Sequence, residues 1–365
     1  MHSKSAQLGI LPAFSIIILS VGLMNHVFVL PPLLFEAKRD AWIAVLATIP
    51  PYMVWTAALF YIIRKTEQQA FLPWMEQRFG KLVSTLIRML FLVYLFFMCA
   101  LTVKETAMWT HASYLVRTPQ FVLSVTLVLL CGFAVYFGIR AIAITSGLLL
   151  PFVVIFGDFV MSTNLPAKEY SMLTPAFEHG LLPVLKGSMY VGGGLAELII
   201  ILLMQHQFKK KIKYWSVFLL TIFLVGLVFG PVTGALAEFG PYEAAKLRYP
   251  AYEEWRLVKI GKYVMHVDFL SIYQWLSGAF ARIAISMYLM TELITPTNHL
   301  NHRITWLVVF STVFAAIVLL PVSDMQYLFF LKHYLPGSLW AVTGFLLVLV
   351  VMILISKKTR MKPNA

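Results

Sequence analysis

The residues best equipped for chemistry in this chain are charged ones set inside apolar sequence. Arg88, Asp158, Glu197, Arg282 and Glu292 each fall within a long hydrophobic run. A charge at the centre of a bilayer costs on the order of 3 kcal/mol or more unless it is paired or hydrated, so such residues mark ion pairs, ligand contacts or proton sites. Arg282 and Glu197 are expected to be counter-charges, because their depths differ by roughly one helical turn of ~5 Å. Two stretches could supply backbone chemistry. One is Gly22-Leu23-Met24-Asn25-His26, with Pro31 and Pro32 beyond it, and the other is Gly192-Gly193-Gly194, shortly before Glu197. A helix interrupted at glycine exposes amide and carbonyl groups that can hold a carboxylate or a cation. The same glycines also suit close helix packing.

Other chemistries find no residues. There is no His-Glu-x-x-His and no phosphate-binding loop, and Trp275-Leu276-Ser277-Gly278 has Trp where an intramembrane protease motif needs Gly. Glu197 stands where a dinucleotide loop after Gly192 would need its third Gly. His299 and His302, beside Asn298 and Arg303, read as a polar loop rather than a metal site. Cys99 and Cys131 lie in apolar runs and offer neither a disulfide framework nor a zinc site. The expectation is a protein that is not an enzyme, with no cofactor and no metal.

These residues must be positioned by membrane helices. Of 365 residues, 12% are charged and 60% hydrophobic, and the mean hydropathy is +0.82, whereas a soluble domain carries about 25% charged residues. The net charge of +13 comes from clusters just outside apolar runs. Retention on one side of a membrane explains them better than phosphate contacts, so nucleic acid is not an expected partner. A bilayer core takes about 20 apolar residues per helix. Runs near 8–35, 40–63, 81–112, 119–138, 141–163, 181–206, 214–237, 269–293, 304–321 and 337–356 qualify as ten spans. Lys4, Arg64, Lys65, Arg78, Lys81, Arg140, Lys209, Lys210, Lys211, Lys213, Arg303 and the basic tail fall on one side, which places both termini in the cytoplasm. The first run is too long for a signal-peptide core and is read as a retained span.

The fold expected is therefore all-α and polytopic, one transmembrane domain over 1–365. Five spans in 1–163 and five in 181–356 would enter from opposite sides as inverted repeats, the first helix of each broken near mid-membrane. The outer segment 238–268 is rich in Pro, Tyr and charge, and Trp255, Val258 and Tyr263 predict a short helix lying at the interface.

Tyr249-Pro250-Ala251-Tyr252-Glu253-Glu254-Trp255-Arg256, followed by Gly261, Asp268 and Trp275, resembles the spore germination protein family, specifically the B-type integral membrane subunit of nutrient germinant receptors. The Gly22 to Pro31 stretch, Asp40-Ala41-Trp42-Ile43, Phe79-Gly80-Lys81 and the Gly-rich sixth span followed by a basic loop resemble the same pattern. The resemblance implies the fold of the amino acid, polyamine and organocation transporter superfamily. It implies sensing of a small nutrient, usually an amino acid, at the inner membrane of an endospore, with termini on the spore-core side. It also implies two partners, an A-type membrane subunit and a C-type lipoprotein. His26 and the bulky Leu23-Met24 depart from the small residues that such transporters often place in their first break.

On this reading a pocket between spans 1, 3, 6 and 8 is lined by Gly22, Asn25, His26, Tyr94, Met98, Gly192, Gly193 and Gly194, near Glu197 and Arg282. Gly193→Val is expected to abolish a nutrient response at unchanged abundance. Tyr249, Pro250, Glu253 and Arg256 are expected to form a lid or partner contact, Pro250 fixing the start of the helix and Arg256 pairing with Glu253 one turn earlier. Two other functions fit the same residues. One is a proton-coupled amino acid transporter, and the other is a channel or structural subunit with no ligand of its own.

Overall fold

The computed structural model describes residues 8–261, 266–295 and 300–356, so the expectations placed on Tyr263 and His299 lie outside the described residues. The chain begins with α1 (Ile10–Leu23), which passes into a π-helical segment, Met24–Phe28, and then α2 (Leu30–Ala37). A turn at Lys38–Asp40 leads to α3 (Ala41–Ala47) and α4 (Ile49–Lys65). The short α5 (Phe71–Phe79) precedes α6 (Lys81–Ser113), α7 (Gln120–Tyr136) and α8 (Ile139–Thr163). After a long loop come α9 (Leu181–Leu195), a 3-10 segment at Ala196–Ile200, and α10 (Ile201–Met204). The rest is α11 (Tyr214–Ala244), α12 (Pro250–Leu257), α13 (Leu270–Ile294), α14 (Leu300–Ala316) and α15 (Asp324–Ile355).

Among the described residues, 8 helices are long and apolar enough to cross a membrane, which makes this an all-α polytopic membrane protein. The ten expected spans and these eight differ for local reasons. Helix α7 has only 17 residues. Helix α13 has 25, but Gln274, Arg282 and Glu292 make it more polar than α1, α7 and α8. That polarity suits its position, because α13 packs against α1, α6, α7 and α8 and is the most enclosed of the long helices. Helix α9 packs on α15, α2 and α3.

Several residues of the family-like pattern have plain structural duties. Gly80 starts α6 at φ 87°, where a side chain would be strained. Asp40 is 1% exposed and accepts a hydrogen bond from the Phe177 amide (2.7 Å), joining the turn before α3 to the long loop after α8. Arg39 strengthens that joint through Glu178 (2.7 Å). On the opposite side, Leu8 lies alongside Phe208 through amide bonds with Gln207 (2.6 Å) and Lys209 (2.8 Å).

Helix α8 packs on α1, α7 and α13 but scarcely on α11. The gap between α8 and α11 holds the cavity described below.

Candidate functional site

The expected pocket residues divide between two places. The first is a charge centre. Arg282, midway along α13 and 0% exposed, makes a two-pronged ion pair with Glu197 in the 3-10 segment after α9. Its Nε donates to Thr102 Oγ1 of α6 (2.7 Å), and its Nη1 reaches the Ser20 carbonyl of α1 (3.4 Å). The guanidinium plane faces Phe28 at 5.7 Å. One side chain thus ties together four elements, and the fork shape of arginine is what allows it. Tyr94 and Tyr334 lie within electrostatic reach of the pair. Met98 sits one turn from Thr102 on α6, its carbonyl accepting the Thr102 hydroxyl (2.7 Å).

Asn25 lies in the π-helical segment, 0% exposed, and neither atom of its carboxamide has a hydrogen-bond partner. It touches Gly194. π-Helical turns concentrate at functional sites because they reset the helix register there.

The glycine triplet does not interrupt its helix. Gly192, Gly193 and Gly194 are α-helical, and the departure from α geometry follows them at Ala196–Ile200. Their role is close approach. A Cβ on Gly193 would clash with the Leu335 carbonyl of α15, one on Gly194 would strike Asn25 and Val29, and one on Gly192 would press on Leu339 and Tyr52. The Tyr52 hydroxyl also donates to the Gly192 carbonyl.

The second place is a cavity of about 230 Å³ lined by α1, α8, α11, α12 and α13. It lies between spans 1, 5, 7 and 8, where sequence reasoning had placed a pocket between spans 1, 3, 6 and 8. Gly22 and His26 line it, as do Tyr249 and Pro250 of the segment between α11 and α13. Asn25, Tyr94, Met98, the glycine triplet, Glu197 and Arg282 are not among its lining residues. The difference arises because α6 and α9 close tightly around the ion pair, while α8 and α11 stay apart.

The segment between α11 and α13 caps this cavity. Pro250 opens α12 at its first turn, where a missing amide is harmless. Trp255, 3% exposed, donates to Gln274 (2.8 Å), which in turn donates to the Val153 carbonyl (2.8 Å). Glu253 and Arg256 pair at 2.9 Å on the outside, with Arg256 59% exposed, an arrangement worth about 0–1 kcal/mol. Tyr249, Asp268 and Trp275 of the motif converge on one aromatic cluster. Trp109 and Trp275 stack at 4.0 Å, Tyr249 meets Trp275 edge-on, and Tyr114 and Tyr252 both donate to Asp268. Arg248 lies over Tyr249 and pairs with Glu105 of α6 (2.7 Å).

Sequence reasoning passed over Glu254. It is 5% exposed, its Oε1 has no hydrogen-bond partner, and it rests against Gly234 of α11, where a Cβ would fall 2.5 Å from Oε2. The Asn164 amide donates to its backbone carbonyl (2.8 Å). Its position beside Glu253, in a segment already singled out, was the available signal. Burial, reinforced by the neighbouring Glu238 carboxylate, pushes the Glu254 carboxyl well above its ordinary value near 4.5, with Lys168 opposing. A carboxyl that holds its proton more tightly when docked stabilises docking below the ordinary value and loses that contribution as pH rises. The expected outcome is that amide exchange in α12, corrected for its intrinsic pH dependence, accelerates as pH climbs above about 4.5. In Glu254→Gln the rise should be largely gone, and an unchanged rise in that variant would refute the assignment.

The comparisons with known proteins agree over most of the chain. A family model described as spore germination protein matches residues 10–327. The chain is 38% identical over 348 residues to spore germination protein XB of Bacillus anthracis, covering 94% of this chain and 97% of that protein. It is also 26% identical over 282 residues to putative spore germination protein YfkT of Bacillus subtilis (strain 168), covering 74% of each. With these matches running through the charge centre and the capped cavity alike, the chain belongs to the spore germination protein family.

Proposed function

We propose that this protein is the B-type integral membrane subunit of a nutrient germinant receptor, binding a small nutrient, most simply an amino acid, and passing the change to partner subunits. In this reading it resides in the inner membrane of the endospore with both termini toward the core. Its partners are an A-type membrane subunit and a C-type lipoprotein. Its helices form two inverted sets of five, and the π-helical and 3-10 departures in the first and sixth spans are what support that symmetry.

The observation that carries the ligand role is Asn25. A buried carboxamide with no partner costs about 1–3 kcal/mol, and its neighbours are the helix distortion and the glycine surface where the two halves meet. A ligand that supplies hydrogen bonds there removes that cost. Asn25→Leu separates the two roles, because it relieves the orphaned amide. Abundance should be equal or higher, while direct binding of amino acids to purified protein and the nutrient response of spores should be lost. An unaltered dose response would rule Asn25 out as a ligand contact. Uptake of the bound nutrient into liposomes containing this protein alone would instead favour a transporter.

A further inference from the structure

Apart from the tyrosines and His26, whose Nδ1 is held at the Leu227 carbonyl (3.2 Å), the ionisable residues lining the capped cavity between α8 and α11 are acidic. Glu254 is 5% exposed, its carboxyl lies against Gly234 of α11 and its Oε1 has no hydrogen-bond partner, while Asp158 stands at the exposed rim. No lysine or arginine is among the described residues that line the cavity. Neither Lys168 nor Arg248 lines it. Lys168 lies 3.5 Å from Glu238, and Arg248 pairs with Glu105 at 2.7 Å. Around Glu254 stand the rings of Tyr249, Tyr252, Trp255 and Trp275, and the remainder of the lining, such as Val154 and Leu227, is mainly aliphatic.

An ammonium group docking beside the Glu254 carboxyl favours its ionised form, the proton leaving to solvent, and is held by a charge-assisted hydrogen bond and by the ring quadrupoles. An anion finds no counter-charge on the wall, and the carboxylate of a zwitterion would be left unpaired in an apolar space, a costly arrangement. A neutral alcohol gains one ordinary hydrogen bond. Gln274 keeps one N–H beyond its bonds with Trp255 and Val153, but a neutral donor does not supply the counter-charge an anion needs.

We infer that this cavity is a binding site for a small organic amine, a protonated amino group on a compact apolar body, with Glu254 as the contact for the ammonium. The site is separate from the Asn25 centre and does not depend on the nutrient reading, because it is tested by binding of a chemical class rather than by germination.

The test is equilibrium binding of radiolabelled cyclohexylamine to the purified full-length protein in lipid nanodiscs, with cyclohexanol and cyclohexanecarboxylate as competitors. Saturable amine binding is expected, with cyclohexanol at least tenfold weaker and the carboxylate without effect. Glu254→Gln, close in shape and lacking the charge, should lower amine affinity at least tenfold and leave competition by the alcohol unchanged. Val154→Trp, which fills the cavity without touching the carboxylate, should remove binding of both. Should Glu254→Gln fold poorly, Asp158→Asn at the rim should still weaken the amine selectively. Non-saturable binding, equal affinity for amine and alcohol, or an unchanged Glu254→Gln variant would each overturn the assignment.

Discussion

Arg282→Met is expected to remove most of the protein from the membrane. The substitution leaves Glu197 buried, 1% exposed, beside an apolar side chain, and breaking a buried pair in this way costs about 3–5 kcal/mol. Thr102 and the Ser20 carbonyl lose a partner as well. The double variant Arg282→Met with Glu197→Gln should restore abundance, because the desolvated charge disappears together with its counter-charge. Immunoblots of membrane fractions from the single and double variants measure this directly. Normal abundance of the single variant would show that the pair is not structural. The nutrient response of the double variant is then informative in its own right. A restored protein that no longer responds assigns the pair a role beyond stability.

Gly193→Ala is expected to be almost as damaging. The added methyl would clash with the backbone carbonyl of Leu335, so α9 and α15 must separate, and overpacking of this kind costs about 1–3 kcal/mol, with more where backbone opposes it. Gly147→Ala on α8 is the control, since nothing lies within 4 Å of its Cβ position. There the exchange should be neutral or stabilising by up to about 1 kcal/mol. Thermal unfolding of the two purified variants decides the matter, and equal melting temperatures would refute the packing role. This replaces the expectation that Gly193→Val would silence the response at full abundance.

Glu197 and Arg282 were legible in the sequence because burial of charge in a membrane has few solutions, and helical rise alone put the two at neighbouring depths. The apolar runs were legible because helix length is set by the bilayer. The glycine triplet was ambiguous for a definite reason: a helix break and a close contact both select Gly, and only the Leu335 carbonyl opposite distinguishes them. The position of the cavity was not legible, since it depends on α8 and α11 failing to pack, and no periodicity within either helix encodes that. Glu254 was hidden by its neighbour, because Glu253 and Arg256 offered the obvious ion pair and that pair lies on the outside.

The stacked indoles of Trp109 and Trp275 have an optical consequence. Their rings are parallel to within 3° at 4.0 Å, close enough for their electronic transitions to couple. One indole belongs to α6 and the other to α13, and Tyr252 from α12 rests edge-on against Trp109. Any ligand-driven slide of α6 along α13, or lifting of the cap, would uncouple the pair and change the near-ultraviolet circular dichroism. The end of the protein that carries α12 therefore holds a built-in, label-free reporter of its own conformation, readable in nanodiscs by difference against Trp109→Phe.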